Sequence, residues 1–165
     1  AAVKRLETLV KGRKKHNMQF LSKVKYECLK ASAIAGSNYY RSFSYGEEGD
    51  FGLDGYRSDD LSQLNNYLLK FNVTGNELKL PKFEKFAILT NMWVDEDVRG
   101  EGLGTEMLDN FLHDVKDVDI IFLIADAQET QKKGFNLEKW YASKKFKKIK
   151  DTSAGALMVK IKSKN

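Results

Sequence analysis

One stretch of the chain limits the possible folds more than any other: an apolar strand pattern, a glycine loop and an amphipathic helix pattern follow one another directly. The strand pattern covers residues 86–94, the loop residues 95–104 and the helix pattern residues 105–116. A helix N-terminus leaves backbone N–H groups unpaired and carries a partial positive charge. Glycines let a ligand approach these groups closely. The stretch therefore predicts an α/β fold with a phosphate-binding loop.

The residue order in the loop separates three kinds of phosphate loop. The nucleoside triphosphate loop needs a Lys after its glycines, and this sequence has none there. The dinucleotide loop needs Gly-x-Gly-x-x-Gly, which glycines at 100, 102 and 104 do not satisfy. The third pattern is Arg/Gln-x-x-Gly-x-Gly/Ala, and Arg99, Gly102 and Gly104 match it. The plain alternative is a glycine turn in front of an ordinary helix.

With this loop and its two flanks, the chain resembles the GNAT N-acetyltransferases. A buried strand pattern at Ile120–Ala125 and a helix ending in Tyr141-Ala-Ser-Lys-Lys-Phe146 extend the resemblance, with Lys145 where the family usually has Gly. The resemblance covers residues 83–165, the acyl-CoA-binding core, and leaves 1–75 as a divergent or added helical part. It implies one domain over 1–165, with a mixed, mostly antiparallel sheet whose central parallel strands splay apart, flanked by helices.

The resemblance also implies a reaction, in which a primary amine attacks acetyl-CoA directly. Loop N–H groups would hold the pyrophosphate, the end of the preceding strand would bind the pantetheine arm, and an Asn before the last helix would contact that arm. Asn136 lies two places after the usual position of that Asn, Gly134. The implied cofactor-binding residues are Met92, Trp93, Val94, Arg99, Gly100, Glu101, Gly102, Leu103, Gly104, Thr105 and Asn136.

By the same resemblance, Tyr141 would be the general acid that protonates the departing CoA thiolate. The alternative is that Trp140 and Tyr141 are core residues of their helix. A general base is not singled out, because five acidic residues lie near predicted strand ends without a distinguishing spacing: Glu84, Asp95, Glu96, Asp97 and Asp126.

Charge is distributed in three blocks. Residues 1–30 carry nine basic and two acidic side chains, residues 132–165 carry eleven lysines and two acids, and the middle holds eight basic and nineteen acidic side chains. The basic ends predict either a polyanion-binding surface, such as one for tRNA, or a solvated surface paired with the acidic middle. The alternative function is thus a nucleic-acid- or protein-binding module on a GNAT scaffold. The class of amine acceptor stays open.

The composition of the chain limits the compartment that we expect for the protein and the disulfide or metal sites that it could contain. Hydrophobic residues make up 42% of the chain, and no apolar run approaches the roughly 20 residues of a membrane span. The N-terminus lacks the apolar core of a signal peptide, so we expect a cytoplasmic protein without a membrane partner. The single Cys28 excludes an internal disulfide, and two histidines, His16 and His113, are too few to suggest a metal site.

Periodicity predicts the remaining elements. Helices are expected at 3–10 and from Met18 through Cys28 to about 35. Loops with one short strand or hairpin follow at 39–56, then a helix capped by Ser58 with Leu61, Leu64, Leu68 and Phe71 inward. A strand is expected at 77–80, a helix at 137–144, and an antiparallel pair of strands at 146–149 and 156–161.

Overall fold

The computed structural model describes residues 26–28, 39–47, 50–126 and 136–162. Within these ranges the strands are β1 (Tyr26–Cys28), β2 (Arg41–Glu47), β3 (Phe51–Ser58), β4 (Phe86–Val94), β5 (Ile120–Asp126), β6 (Lys147–Thr152) and β7 (Gly155–Ile161). The α-helices are α1 (Leu61–Leu69), α2 (Leu103–Asp114) and α3 (Leu137–Ser143), with 3-10 turns at Gly75–Leu78 and Glu96–Val98. No helix of the described residues is long and apolar enough to cross a membrane.

The strands form one sheet in the order β1-β2-β3-β4-β5-β7-β6. Its centre is the parallel pair β4–β5, in which Phe86–Leu89 pair with Ile120–Leu123. The pairs β1–β2, β5–β7 and β6–β7 are antiparallel. Only three residues join β2 to β3, a connection that requires an antiparallel hairpin. The predicted α/β class, a mostly antiparallel sheet around central parallel strands, is confirmed.

Pairing between β3 and β4 follows from two hydrogen bonds. Thr90 Oγ1 donates to the carbonyl of Asp54 at 3.1 Å, and Asp95 N donates to the carbonyl of Asp50 at 2.8 Å. The partner number falls as the β4 number rises, so the two strands are antiparallel. This places the last residues of β4 beside the first residues of β3.

The described residues divide into two compact units. The first contains 26–28, 41–47, 50–56 and 90–116, and the second contains 39–40, 57–89, 117–126 and 136–162. The prediction of one domain over 1–165 stays a prediction.

In the first unit, α2 packs on one side of β2. The rings of Phe43 and Tyr45 lie edge to face on Phe111, with centroids 6.3 and 6.4 Å away, and the Tyr45 hydroxyl donates to Asp114 at 2.6 Å. Because alternate residues of a strand point to opposite faces, Ser44 points away from α2. The face of the hairpin that carries Ser44 is therefore the one that α2 does not cover.

In the second unit, Asp119 fastens the start of β4 to the start of β5. One oxygen of its carboxylate accepts the backbone N–H groups of Glu84 and Lys85, each at 3.0 Å. Close by, Phe83 packs on Phe86 and on Phe122, with ring centroids 6.4 and 6.0 Å away. The Asp119 hydrogen bonds and the Phe83–Phe122 contact join residues 34 to 39 positions apart in sequence, so they hold the parallel pair in register.

The strongest periodic patterns of the sequence match the elements observed. The predicted strand at 86–94 coincides with β4, and the strand at 120–125, the helix at 137–144 and the C-terminal hairpin are confirmed with small shifts of their ends. α2 begins at Leu103, two residues earlier than predicted, because Gly102 rather than Gly104 is its N-cap. Several glycines close together predict a turn, but the sequence does not show which of them ends the turn and caps the helix.

Two predicted elements are wrong. Residues 26–28 form a strand on β2, with Cys28 opposite Ser42, instead of part of a helix. Residues 77–80 do not form a strand. Glu77 and Leu78 end the 3-10 turn, where the Glu77 side chain accepts from Thr74 N at 3.4 Å and closes a capping box. At 26–28, pairing with a strand distant in sequence outweighs the helical spacing of the apolar residues. At 77–80, the capping box outweighs a composition typical of strands.

Smaller corrections concern α1 and the hairpin. Asp60, not Ser58, caps α1 by accepting from Ser62 N at 3.0 Å, while Ser58 is buried and accepts from Asp60 N. Leu61 is exposed rather than inward, and Phe71 is half-buried. The hairpin expected within residues 39–56 is confirmed: β2 and β3 form it, and β3 extends two residues further, to Ser58. The helix predicted at 3–10, and the second predicted helix apart from 26–28, lie outside the described residues.

Candidate active site

The glycine loop joins β4 to α2 in the first unit and adopts the conformation that its glycines permit. Gly100 has φ of +87° and Gly102 has φ of +80°, a left-handed region that other residues adopt only with strain. A side-chain carbon built on either glycine would have no neighbour within 4 Å. The space in front of the loop backbone is thus open, and packing is not the reason for glycine at these two positions.

α2 begins without a side-chain cap. Its N-cap is Gly102, which has no side chain to accept from the first turn, and the first intrahelical bond runs from Glu106 N to the carbonyl of Gly102 at 3.0 Å. The N–H groups of Leu103, Gly104 and Thr105 precede that bond, so they have no partner within the helix. Together with the helix dipole, they form a site suited to an anion, and the pyrophosphate of CoA fits it chemically.

Buried side chains anchor both ends of the loop. Val98 is 1% exposed and Leu103 is 2% exposed, whereas Arg99, Gly100 and Glu101 between them are exposed. The backbone of the loop is therefore held from beneath and presented to solvent. Val98 is not part of the Arg/Gln-x-x-Gly-x-Gly/Ala pattern, and its position as the apolar residue directly before Arg99-Gly100 is the sequence signal that marks it as an anchor.

Arg99 ties the loop to the end of β4. Its Nε donates to the carbonyl of Val94 at 2.7 Å. Because Asp95 N donates to β3, alternation directs the backbone groups of Met92 and Val94 away from β3. The backbone contacts to pantetheine proposed for residues 92–94 would thus fall to Met92 and Val94, whereas the Trp93 backbone faces β3.

Tyr141 lies in the second unit, on α3, inside a cluster of aromatic rings. Trp140 and Phe146 pack edge to face on it, with centroids 5.1 and 5.8 Å away, and Tyr141 is 3% exposed. Burial raises the pKa of its phenol above the ordinary value, so the hydroxyl is protonated at neutral pH. Both interpretations of the sequence stay open: this packing suits a core residue, and a protonated phenol suits a general acid.

Asn136 is the N-cap of α3. Its side-chain oxygen accepts from Lys139 N at 3.0 Å, which leaves the amide NH₂ as the group that could meet a cofactor. The predicted contact with the CoA arm stays a prediction. The position where the family usually has Asn, Gly134, lies outside the described residues.

Lys145 occupies the position where the family usually has Gly, and the backbone explains that preference. Its φ is +77°, and α3 ends in a Schellman motif: Lys145 N donates to the carbonyl of Ala142 at 2.9 Å, and Phe146 N donates to that of Tyr141 at 3.1 Å. The residue after a helix C-cap in this motif adopts a left-handed conformation, which costs any side chain with a Cβ. Lys145 therefore holds a strained backbone.

We expect Lys145→Gly to raise the free energy of unfolding by about 1 kcal/mol, because it removes that strain. For a chain of this size the melting temperature should rise by roughly 2–4 °C. Burial lowers the pKa of the Lys160 ammonium, and the nearby charge of Lys145 lowers it further. Removing the Lys145 charge therefore changes stability by itself, apart from any effect on the backbone. Lys145→Ala is the control, since it removes the charge and keeps the strain. Equal melting temperatures for the two variants would refute the backbone explanation.

The remaining candidate residues are dispersed. Asp95, Asp97 and Asp126 are exposed, and so is Glu84, whose backbone N–H is bound by Asp119. His113 is an exposed residue of α2. In the described part of the basic C-terminal segment, Lys160 Nζ donates to the carbonyl of Lys144 at 3.3 Å, close to the charge of Lys145. The basic N-terminal segment lies outside the described residues except for 26–28.

Comparison with known proteins identifies a distant structural neighbour. No family model and no curated protein matches the sequence. Among solved structures, the chain is similar to the crystal structure of an acetyltransferase from Thermus thermophilus, with 18% identity and a TM-score of 0.43. The similarity covers 76% of this chain and 64% of that one. A likeness at this level does not assign an activity to this chain.

Proposed function

We propose that the protein is an N-acetyltransferase that transfers the acetyl group of acetyl-CoA to a primary amine. One observation carries the proposal: α2 starts behind a left-handed Gly102 with an uncapped first turn and open space before it. A turn that only connects two elements gains nothing from exposed, unpaired N–H groups, whereas a bound pyrophosphate accepts hydrogen bonds from them. The Arg99-x-x-Gly102-x-Gly104 order supports CoA over other phosphate ligands.

In this proposal the residues bind the donor, orient its pantetheine arm or transfer a proton. Bound acetyl-CoA supplies an activated acyl group with a thiolate as its leaving group. The N–H groups of residues 103–105 bind the pyrophosphate, and the backbone groups of Met92 and Val94 orient the arm. The neutral amine would attack the acyl carbon, the carbon–sulfur bond would break, and the Tyr141 phenol would give its proton to the departing sulfur. The proton lost by the amine nitrogen would pass to water, and Tyr141 would regain a proton from water. The raised pKa of the Tyr141 phenol keeps its proton in place until transfer.

Calorimetric titration of the full chain tests the donor site. We expect acetyl-CoA and free CoA to bind with micromolar affinity, since both carry the pyrophosphate that the loop recognises. Release of CoA thiol, followed with a thiol reagent, should then depend on an added primary amine. A chain that binds neither ligand would contradict the proposal, and so would one that binds both without transfer to any amine of a broad panel.

A further inference from the structure

Trp93 forms a flat aromatic platform on the first unit. A side-chain carbon built on Gly52 of β3 would lie 2.2, 2.4 and 2.9 Å from three atoms of the Trp93 ring. The indole therefore rests directly on the β3 backbone, and only glycine at position 52 permits this. Trp93 nevertheless stays 37% exposed. A large ring is thus fixed from beneath and open to solvent, as a ligand platform requires.

A carboxylate lies beside the platform. Asp54 is two residues from Gly52 along β3 and so points to the same face of the sheet. Its Oδ1 accepts a hydrogen bond from Ser44 Oγ at 2.7 Å, which orients the carboxylate and leaves its other oxygen for a ligand. An aromatic face next to an oriented carboxylate is a combination that recognises organic cations.

A second carboxylate lies beyond the other edge of the ring. Asp95 follows Trp93 by two residues, directly after the end of β4, and is exposed. Its backbone N–H still donates to the carbonyl of Asp50 at 2.8 Å, so the strand pairing continues to this residue. Gly52 and Trp93 lie beside each other across the β3–β4 pair. Because the strands are antiparallel, Asp54 lies on one side of these two residues along the strand direction and Asp95 lies on the other. Two residues of strand on each side put them about 13 Å apart. The Trp93 face, defined by Gly52, Asp54, Trp93 and Asp95, thus has an apolar centre between two acidic ends.

Acidic side chains predominate along the strands and the loop that surround the Trp93 face. The described residues from 41 to 56 and from 90 to 116 hold ten Asp and Glu against three Lys and Arg. This local excess of carboxylates favours a cationic ligand. The Trp93 face is on the side of Ser44, opposite the side that α2 covers, so α2 does not obstruct it.

We propose that the Trp93 face binds an aliphatic polyamine as the acyl acceptor, with one ammonium at Asp54, another toward Asp95 and the methylenes between them on the indole. A monoamine reaches only one of the two carboxylates, whereas a polyamine reaches both. The inference deepens the proposed function and rests on it, because the bound polyamine presents its amine to the donor. Trp93 belongs to the same strand end that is proposed to bind the pantetheine arm.

Titration of the full chain with spermidine and with n-butylamine, followed by calorimetry, tests the inference. Spermidine should bind at least tenfold more tightly than n-butylamine. Asp54→Asn and Asp95→Asn should each weaken spermidine about fivefold, as expected for solvent-accessible ion pairs. Trp93→Leu should weaken it by a similar factor through loss of the cation–π surface. Asn at 54 still offers an oxygen to Ser44, so the hairpin keeps its hydrogen bond.

Asp109→Asn is the matched control, since it removes an exposed carboxylate of the same unit from α2, on the covered side. It should leave spermidine binding within twofold of the parent chain. Equal affinity for both amines, or equal loss in the control and in Asp54→Asn, would overturn the inference. Acetyl-CoA titration of the same proteins separates the two proposals: donor binding without spermidine binding refutes only this one, and spermidine binding without donor binding refutes the acetyltransferase.

Discussion

Replacing Gly104 by Asp should weaken acetyl-CoA binding by about 100-fold or more while the protein stays at least as stable as before. Gly104 is the second residue of α2, where an aspartate interacts favourably with the helix dipole by about 0.3–1 kcal/mol. The same carboxylate would face the pyrophosphate. Two like charges 4 Å apart repel by about 1 kcal/mol in water and about 4 kcal/mol near a protein surface. We therefore expect affinity to fall by about 100-fold or more.

The opposite signs of these two effects make the experiment decisive. A variant that merely unfolds the loop would lose stability together with affinity, whereas Gly104→Asp should lose affinity alone. Gly104→Ala is the matched control, because the loop pattern accepts Ala at this position and the change removes the same glycine without adding charge. It should bind acetyl-CoA within tenfold of the parent chain. Calorimetry and thermal unfolding of all three proteins, run side by side, measure both quantities.

An undiminished affinity in Gly104→Asp would mean that the α2 N-terminus does not hold the donor. The acetyltransferase proposal would then lose its central support, since no other described helix start combines left-handed glycine, an uncapped first turn and open space. A loss of affinity in Gly104→Ala as large as in Gly104→Asp would indicate a steric effect of the Cβ instead of charge repulsion.

Tyr141→Phe has the second largest expected effect, a fall in turnover of about 100-fold or more, which is the usual contribution of a general acid. The ring, and with it the packing on Trp140 and Phe146, is retained, so the affinity for acetyl-CoA should change by less than about threefold. If Tyr141 is a core residue and nothing more, turnover should stay within a few-fold. Steady-state thiol release, with the calorimetric affinity measured on the same samples, distinguishes these outcomes.

The pH dependence offers a second test of Tyr141. Burial raises the pKa of its phenol above the ordinary value of about 10. The protonated form, which is the acid required, therefore persists throughout pH 7–10, and the rate should show no fall caused by Tyr141 in that range. Tyr67→Phe is the control, because it removes a hydroxyl from another buried tyrosine of the same unit. Its turnover should equal that of the parent chain.

Local sequence patterns were sufficient for the continuous part of the candidate site. β4, the glycine loop and α2 follow one another along the chain, and each depends on short-range rules: an apolar run, glycines that adopt positive φ, and a helical period. The start of the C-terminal hairpin and α3 were predictable for the same reason. The anion-binding potential of the loop also follows from local backbone geometry, so it required no knowledge of distant residues.

Only the tertiary structure decided the features that join distant parts of the chain. β1 is a strand because its backbone pairs with β2, a non-local contact that outweighs the helical period of its sequence. Trp93 is a platform because Gly52, forty-one positions earlier, lies beneath it, and Asp54 is oriented by Ser44 from the neighbouring strand. Such pairings depend on strand order and register, which a period of two or 3.6 residues does not contain.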